Sequence, residues 1–268
     1  MTRLLKLFRA EIVRSVLLTV RYPIELFVGL LIMYMLFMGL FLGARSLVRD
    51  TQMLSASLDG FIISYVMWFF VISAMGRLAF HIESEAQMGV LEQIFLTYPR
   101  MLALMLVRSA VDFFTSLVIV IALLISIMAT TGKWLAIGTG NILELLILLV
   151  ITVAGIYGFG LIFAGLALVF KRIGQVGSIM QFAFFFLAYF PVEQLTGWLK
   201  AALYSLPLTL GVSLIKTVIV EHGSVFSGSK SWLLLGLVIN SVAYLLIGSV
   251  VFLICERKSR MDGRLGQY

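Results

Sequence analysis

Residues 81–100 read HIESEAQMGVLEQIFLTYPR, the one polar island in the first half of the chain long enough to fold as something other than a membrane span. Glu83, Glu85 and Glu92 stand among Ile82, Val90, Leu91, Ile94 and Phe95. That spacing predicts an amphipathic helix over 82–98, about four turns at ~3.6 residues per turn. Pro99 has no N–H with which to continue it and biases Tyr98 away from helical angles, so the chain turns there. Long apolar runs flank the island on both sides, so a short acidic helix hangs between two spans.

Working outward, the chain of 268 residues is 62% hydrophobic and 12% charged, with a mean hydropathy of +1.10. A soluble domain carries about 25% charged residues; this composition is that of an all-α polytopic membrane protein. The single cysteine, Cys255, excludes an internal disulfide. The net charge of +7 sits at span ends rather than on a face interleaved with aromatic residues, which argues for membrane orientation and against nucleic acid. The N-terminal residues interleave Arg and Lys with apolar side chains, unlike a cleavable signal, so the N-terminus is expected to be retained.

Residues 1–22 are expected to form an interfacial helix. Leu4, Leu5, Phe8, Ile12, Val13, Val16 and Val20 fall on one side, and Arg3, Lys6, Arg9, Arg14 and Arg21 fall largely toward anionic headgroups on the other. Six spans follow, at 24–44, 61–80, 101–130, 142–170, 173–190 and 232–255. Glu25 can pair with Arg21, Arg77 can snorkel, and Arg108 and Asp112, one turn apart, are expected to form a local salt bridge. Gly155, Gly158, Gly160, Ala164 and Gly165 give the fourth span a surface that admits another helix closely. The fifth span carries Phe182, Phe185, Phe186 and Tyr189, which suit lipid contact and helix packing or the lining of a route for an apolar substrate. Residues 191–228, too broken by Pro and Gly to cross, read as an outer amphipathic or re-entrant segment.

The N-terminal segment, the surroundings of the island, Lys171 and Arg172, and the C-terminal tail hold every Lys and Arg except Arg45, Arg49, Lys133, Lys200, Lys216 and Lys230. By the positive-inside rule both termini and the island are cytoplasmic, in a cell (inner) membrane. Catalytic patterns are absent from the sequence. His81 and His222 fall on opposite sides and neither has a metal-ligand partner at suitable spacing, so no metal is expected. There is no G-x-S-x-G and no G-x-x-x-x-G-K-[ST], so the chain is read as neither an enzyme nor a binder of ATP. Glu25, Arg77, Asp112 and Glu144 all lie near span ends. A charge-poor interior argues against ion coupling and for energy delivered from outside.

Three features carry a resemblance to the membrane subunits of type-2 ABC exporters, the ABC-2 permease family. They are the basic amphipathic N-terminal helix, the run E-x-x-x-G-V-L-E-Q-I-x-x-x-x-P from Glu85 to Pro99, and the outer segment from Phe190-Pro191 to Leu206-Pro207-Leu208-Thr209. The resemblance implies a half-transporter of six spans that pairs with a second permease copy, like or unlike. It also implies two copies of a separate cytoplasmic ATPase, which holds the ATP and Mg, while this chain holds no cofactor. Residues 82–98 would be the coupling helix, with Glu83, Glu85, Gly89, Leu91, Glu92 and Pro99 at the ATPase contact, and Gly89 letting two backbones approach. Spans one and five would form much of the dimer contact and of the substrate route. Glu85 to Gly89 is a spacing of four, whereas importer permeases place Gly six residues after their Glu, so export is implied. The stretch RSVLLTVRYPIELF lacks the motif of polysaccharide-exporting relatives, which leaves a drug, lipid or other amphiphile as substrate. The alternatives are a self-sufficient carrier or channel, which an ion gradient would drive without a partner, and a membrane enzyme, which would form product alone.

Overall fold

The computed structural model describes residues 2–47, 51–98, 100–132, 134, 141–170, 173–192, 195–221, 223–226 and 231–261. Regular structure among them is helical: α1 Thr2–Arg21, α2 Pro23–Leu47, α3 Thr51–Ile72, a π-helical turn Ser73–Arg77, α4 Leu78–Gln87, α5 Leu91–Thr97, α6 Met101–Thr131, α7 Ile142–Phe170, α8 Gly174–Tyr189, α9 Trp198–Tyr204, α10 Pro207–Ile219 and α11 Ser231–Met261. Five stretches are long and apolar enough to cross a membrane: 23–43 in α2, 58–87 through α3 and α4, and the helices α6, α7 and α11. Pro99, named in the expected partner contact, lies outside the described residues, as do His222, Lys171 and Arg172 and the side chain of Arg3.

One expectation about the spans needs correction. The fifth span is a helix of 16 residues. At ~1.5 Å per residue it is about 24 Å long, short of the ~30 Å of a hydrocarbon core. The α9–α10 pair, bent by 90° at Ser205–Leu206 with α10 buried along most of its length, has the form of a broken span or of the re-entrant segment expected over 191–228. A broken pair of this kind is tolerated at membrane depth where protein covers the backbone, and α10 packs between α7, α3 and α11.

The acidic island is not one helix of about four turns hanging between spans. The helix of the second span runs on through the π turn to Gln87, because Leu78, Ile82, Glu85 and Ala86 continue its buried stripe at spacings of three and four. It stops at Gly89, at a φ of 70°. The Val90 N–H donates to the Glu85 carbonyl and the Gly89 N–H to the Ala86 carbonyl, each at 3.0 Å. This six-to-one and five-to-two pair is a Schellman ending, with glycine at its left-handed position. Nothing lies within 4 Å of where a Gly89 Cβ would stand. It is the backbone angle, rather than room for a neighbour, that requires glycine there.

At the centre stands α7, packed against α11, α10, α4 and the π turn. Its small residues do what their spacing predicts. A Cβ on Gly158 would lie 2.5 Å from the Tyr244 backbone of α11, and one on Gly165 would lie 2.9 Å from Phe252 Cα. A Cβ on Gly160 would collide with the Ala74 carbonyl of the π turn. On the other face of α3, α8 is held by the Trp68 Nε1–H donating to the Gln181 carbonyl at 2.8 Å and the Ser64 hydroxyl donating to the Ala188 carbonyl at 2.7 Å. Among the described side chains of α2, Phe37 and Phe41 are buried, and Phe37 meets Tyr65 edge to face while the Tyr65 hydroxyl donates to the Met33 carbonyl. Much of the remaining surface of α2 is open and apolar.

Candidate functional site

Two features stand at the end of the bundle where α4 and α5 lie. The first is the exposed turn between those helices. Leu91 and Phe95 anchor α5 inward, the Arg260 guanidinium stands 5.0 Å from the Phe95 ring centre, and Arg260 is itself held by Glu256 at 2.6 Å. Outward project Met88 at 64% exposure and Leu96 at 80%, with Gly89, Glu92 and Gln93 also exposed between them. An apolar pair with a carboxylate between thus stands open on a fixed base.

The other carboxylates of the island face inward. Glu83 accepts a hydrogen bond of 2.9 Å from the Ile173 backbone N–H, just before α8. Glu85 is 3% exposed and takes both terminal nitrogens of Arg108, at 2.6 and 3.0 Å. As a partner-contact residue it is therefore corrected: its two oxygens are spent on the planar guanidinium fork, the geometry arginine pairs best. The local Arg108–Asp112 bridge is corrected for the same reason. Arg108 gives its Nε–H to Glu11 at 3.2 Å, and Arg14 stands 3.6 Å from Glu11 and 3.8 Å from Glu85.

Through these bonds α1 docks by a polar stripe. Glu11 meets Arg108, and the Ser15 and Thr115 hydroxyls lie 3.1 Å apart, so α1 runs alongside the first half of α6. The opposite faces, with Leu5, Val16 and Val20, and with Lys6 and Arg9, are exposed. The role of Glu11 escaped the sequence reading; its only signal was an acid three residues before Arg14 inside a basic segment.

The second feature is a cleft of about 810 Å³ between α1 and α2 on one side and the π turn, α4 and α6 on the other. Phe69, Ser73, Gly76, Arg77 and His81 bring one face of the second span to it at spacings of three and four. Asp112 lies at its floor, 8% exposed, with Arg77 Nη1 3.9 Å from one oxygen and His81 Nε2 3.7 Å from the other. Arg77 is thus turned toward the cleft and Asp112. Neither contact is a hydrogen bond, and Asp112 Oδ2 is buried without a donor. Behind it the Ser73 and Ser116 hydroxyls lie 2.5 Å apart and join the π turn to α6. A π turn inside a long helix is an irregularity found often at functional sites.

Of the expected route residues, Phe185 and Tyr189 pack inward, 4.7 Å apart between ring centres and against Trp68 and Phe61 of α3, while Phe182 and Phe186 are exposed. The fifth span's aromatic run therefore divides between holding α8 to α3 and facing outward. Neither family models nor curated proteins give a match to the chain.

Proposed function

We propose that the chain is the membrane subunit of an ATP-driven exporter of the type-2 ABC class, pairing with a second permease and with two cytoplasmic ATPase subunits that hold the ATP and Mg. The observation that carries this reading is the α4–α5 turn. Its sequence is the E-x-x-x-G-V-L-E-Q-I run, its outer face is Met88, Glu92 and Leu96, and its base is the last turn of an unbroken helix that crosses the bundle. A force on α5 acts on the second span directly and, through the Glu85–Arg108 fork, on α6. In this reading Glu92 and Leu96 touch the ATPase and Glu85 positions the turn. The turn and both termini are cytoplasmic, and ATP-driven closure of the two ATPases tilts the turns and opens the route outward. Phe182 and Phe186 on α8 offer an apolar face to an amphiphilic substrate or to the second copy.

The test is purification of the tagged full chain in mild detergent, with mass spectrometry of what accompanies it and ATP hydrolysis measured on the eluate. A stoichiometric ATPase that is lost in Glu92→Arg and in Leu96→Asp, both exposed positions, supports the proposal. A chain recovered alone from several detergents overturns it. One observation favours a self-sufficient carrier as the second reading: Asp112, Arg77 and His81 meet inside the bundle at the cleft. Transport by the isolated chain in an ion gradient would select that reading.

A further inference from the structure

We propose that the cleft beside the π turn binds the ammonium head of a membrane amphiphile, with Asp112 and Glu25 as its acceptors. The inference goes beyond the export reading and does not need it, because binding is a property of the chain alone.

The charges lining the cleft are unequally satisfied. Arg108 is fully engaged, with Glu85 on its fork and Glu11 on its Nε–H, and Arg14 stands beside the same two carboxylates. Arg77 and His81 stand 3.9 and 3.7 Å from Asp112 and keep their own donors, and beside them what is left over is acceptor capacity. Asp112, more than nine-tenths buried, lines the cleft with Oδ2 bare of any donor, and its cationic neighbours stand too far off to donate. Glu25, in the first turn of α2, faces the same space and has no ion partner among the described residues. A buried, unsatisfied carboxylate oxygen is costly, and the cost is removed by a group that brings its own N–H donors and a positive charge. Above this polar floor the walls are apolar, formed by Leu26 and Leu30 of α2, Phe69 and Ile72 of α3 and Ile119 of α6. A polar floor with apolar walls suits a charged head on a hydrocarbon tail, and the volume is in the range of small-molecule sites. The head must be a primary or secondary ammonium. A trimethylammonium of equal charge has no N–H to give Oδ2.

Two sources supply that chemistry: the ethanolamine head of a bilayer lipid and a free long-chain amine. The test is native mass spectrometry of the delipidated full chain with dioleoyl phosphatidylethanolamine, its phosphatidylcholine and phosphatidylglycerol counterparts, and dodecylammonium. The ethanolamine lipid should be retained about tenfold more than the choline lipid, the size of one charge-assisted hydrogen bond gained. Asp112→Asn should bring the two to parity. Glu25→Gln, at an exposed position, should lower the preference severalfold with the unfolding temperature unchanged, so the outcome does not hang on the fold tolerating a change at Asp112. Asp112-dependent retention of the lipid, undisplaced by dodecylammonium, assigns the lipid head. Asp112-dependent binding of dodecylammonium without the lipid assigns the free amine. Parity of ethanolamine and choline lipids with no amine bound, ammonium binding that survives both substitutions, or preference for the glycerol lipid would each overturn the proposal.

Discussion

Truncating Arg108 tests whether the α4–α5 turn is held to the bundle by the buried fork. Arg108→Ala removes two bonds to Glu85 and one to Glu11, leaving the Glu85 carboxylate, 3% exposed, with only Arg14 at 3.8 Å. Stranding one member of a buried ion pair costs about 3–5 kcal/mol, because the remaining charge keeps its desolvation penalty and loses its compensation. Glu85→Ala should cost a similar amount. The double variant strands neither of the two, so its cost should fall well below the sum, with a coupling energy of about 2 kcal/mol or more. Arg108→Lys keeps the charge without the planar fork and should fall between wild type and alanine. Unfolding followed by loss of helical signal on titration with SDS measures all four. Additive single effects, or an Arg108→Ala cost below about 1 kcal/mol, would show that the pair behaves as a surface bridge and refute the anchoring role.

Three further outcomes follow from particular contacts. Gly248→Leu should prevent recovery of monodisperse protein on size exclusion, since its Cβ would collide with the Gly158 carbonyl, whereas Gly39→Leu, with nothing within 4 Å of its Cβ, should be recovered as wild type. At Gly89, with φ at 70°, Val should cost about 1–2 kcal/mol in SDS unfolding, Ala less, and Asn least because it tolerates the left-handed region. Glu144 accepts from the Val225 N–H and the Ser224 hydroxyl, so Glu144→Ala should cost about 1–3 kcal/mol and speed proteolytic cleavage near residues 223–226.

The long apolar runs made the four spans at α2, α6, α7 and α11 legible, because hydrocarbon thickness sets their length and hydropathy marks their ends. The small-residue surface of α7 was legible for a related reason: only close helix approach explains glycine at 155, 158, 160 and 165 in one helix. The end of the second span was not, because Glu83 and Glu85 look like solvent-facing charges when neither Arg108 nor the Ile173 N–H is known to lie opposite. Burial of a charge is decided by its partner, and a partner 23 or 90 positions away leaves no local trace. The cleft was invisible for the same reason. Arg77 read as a snorkelling charge near a span end and Asp112 as the local partner of Arg108, and the run SAMGR carries nothing that distinguishes a π turn from α-helix. The α9–α10 bend was half legible: Pro207 marks the break, but only tertiary burial turns an amphipathic segment into an inserted helix.

The exposed turn caps the helix whose inner face lines the cleft. Between Leu96, on the outer face, and His81 and Arg77, on the cleft wall, there is only the Schellman turn and the last turns of the second span, and the π turn follows at once. The helix is fixed to α6 at two points, Glu85 to Arg108 and Ser73 to Ser116, and Asp112 stands between them on α6. A ligand that drew Asp112 toward itself would therefore act on the same helix pair as the partner proposed at Glu92 and Leu96. Linkage makes any such effect mutual: a cleft ligand that tightens the partner tenfold must be tightened tenfold by it, whichever of the two binds first. Measuring ammonium binding with and without the partner, and partner binding with and without the ammonium, gives that factor twice. Unequal values would mean that a third component binds as well.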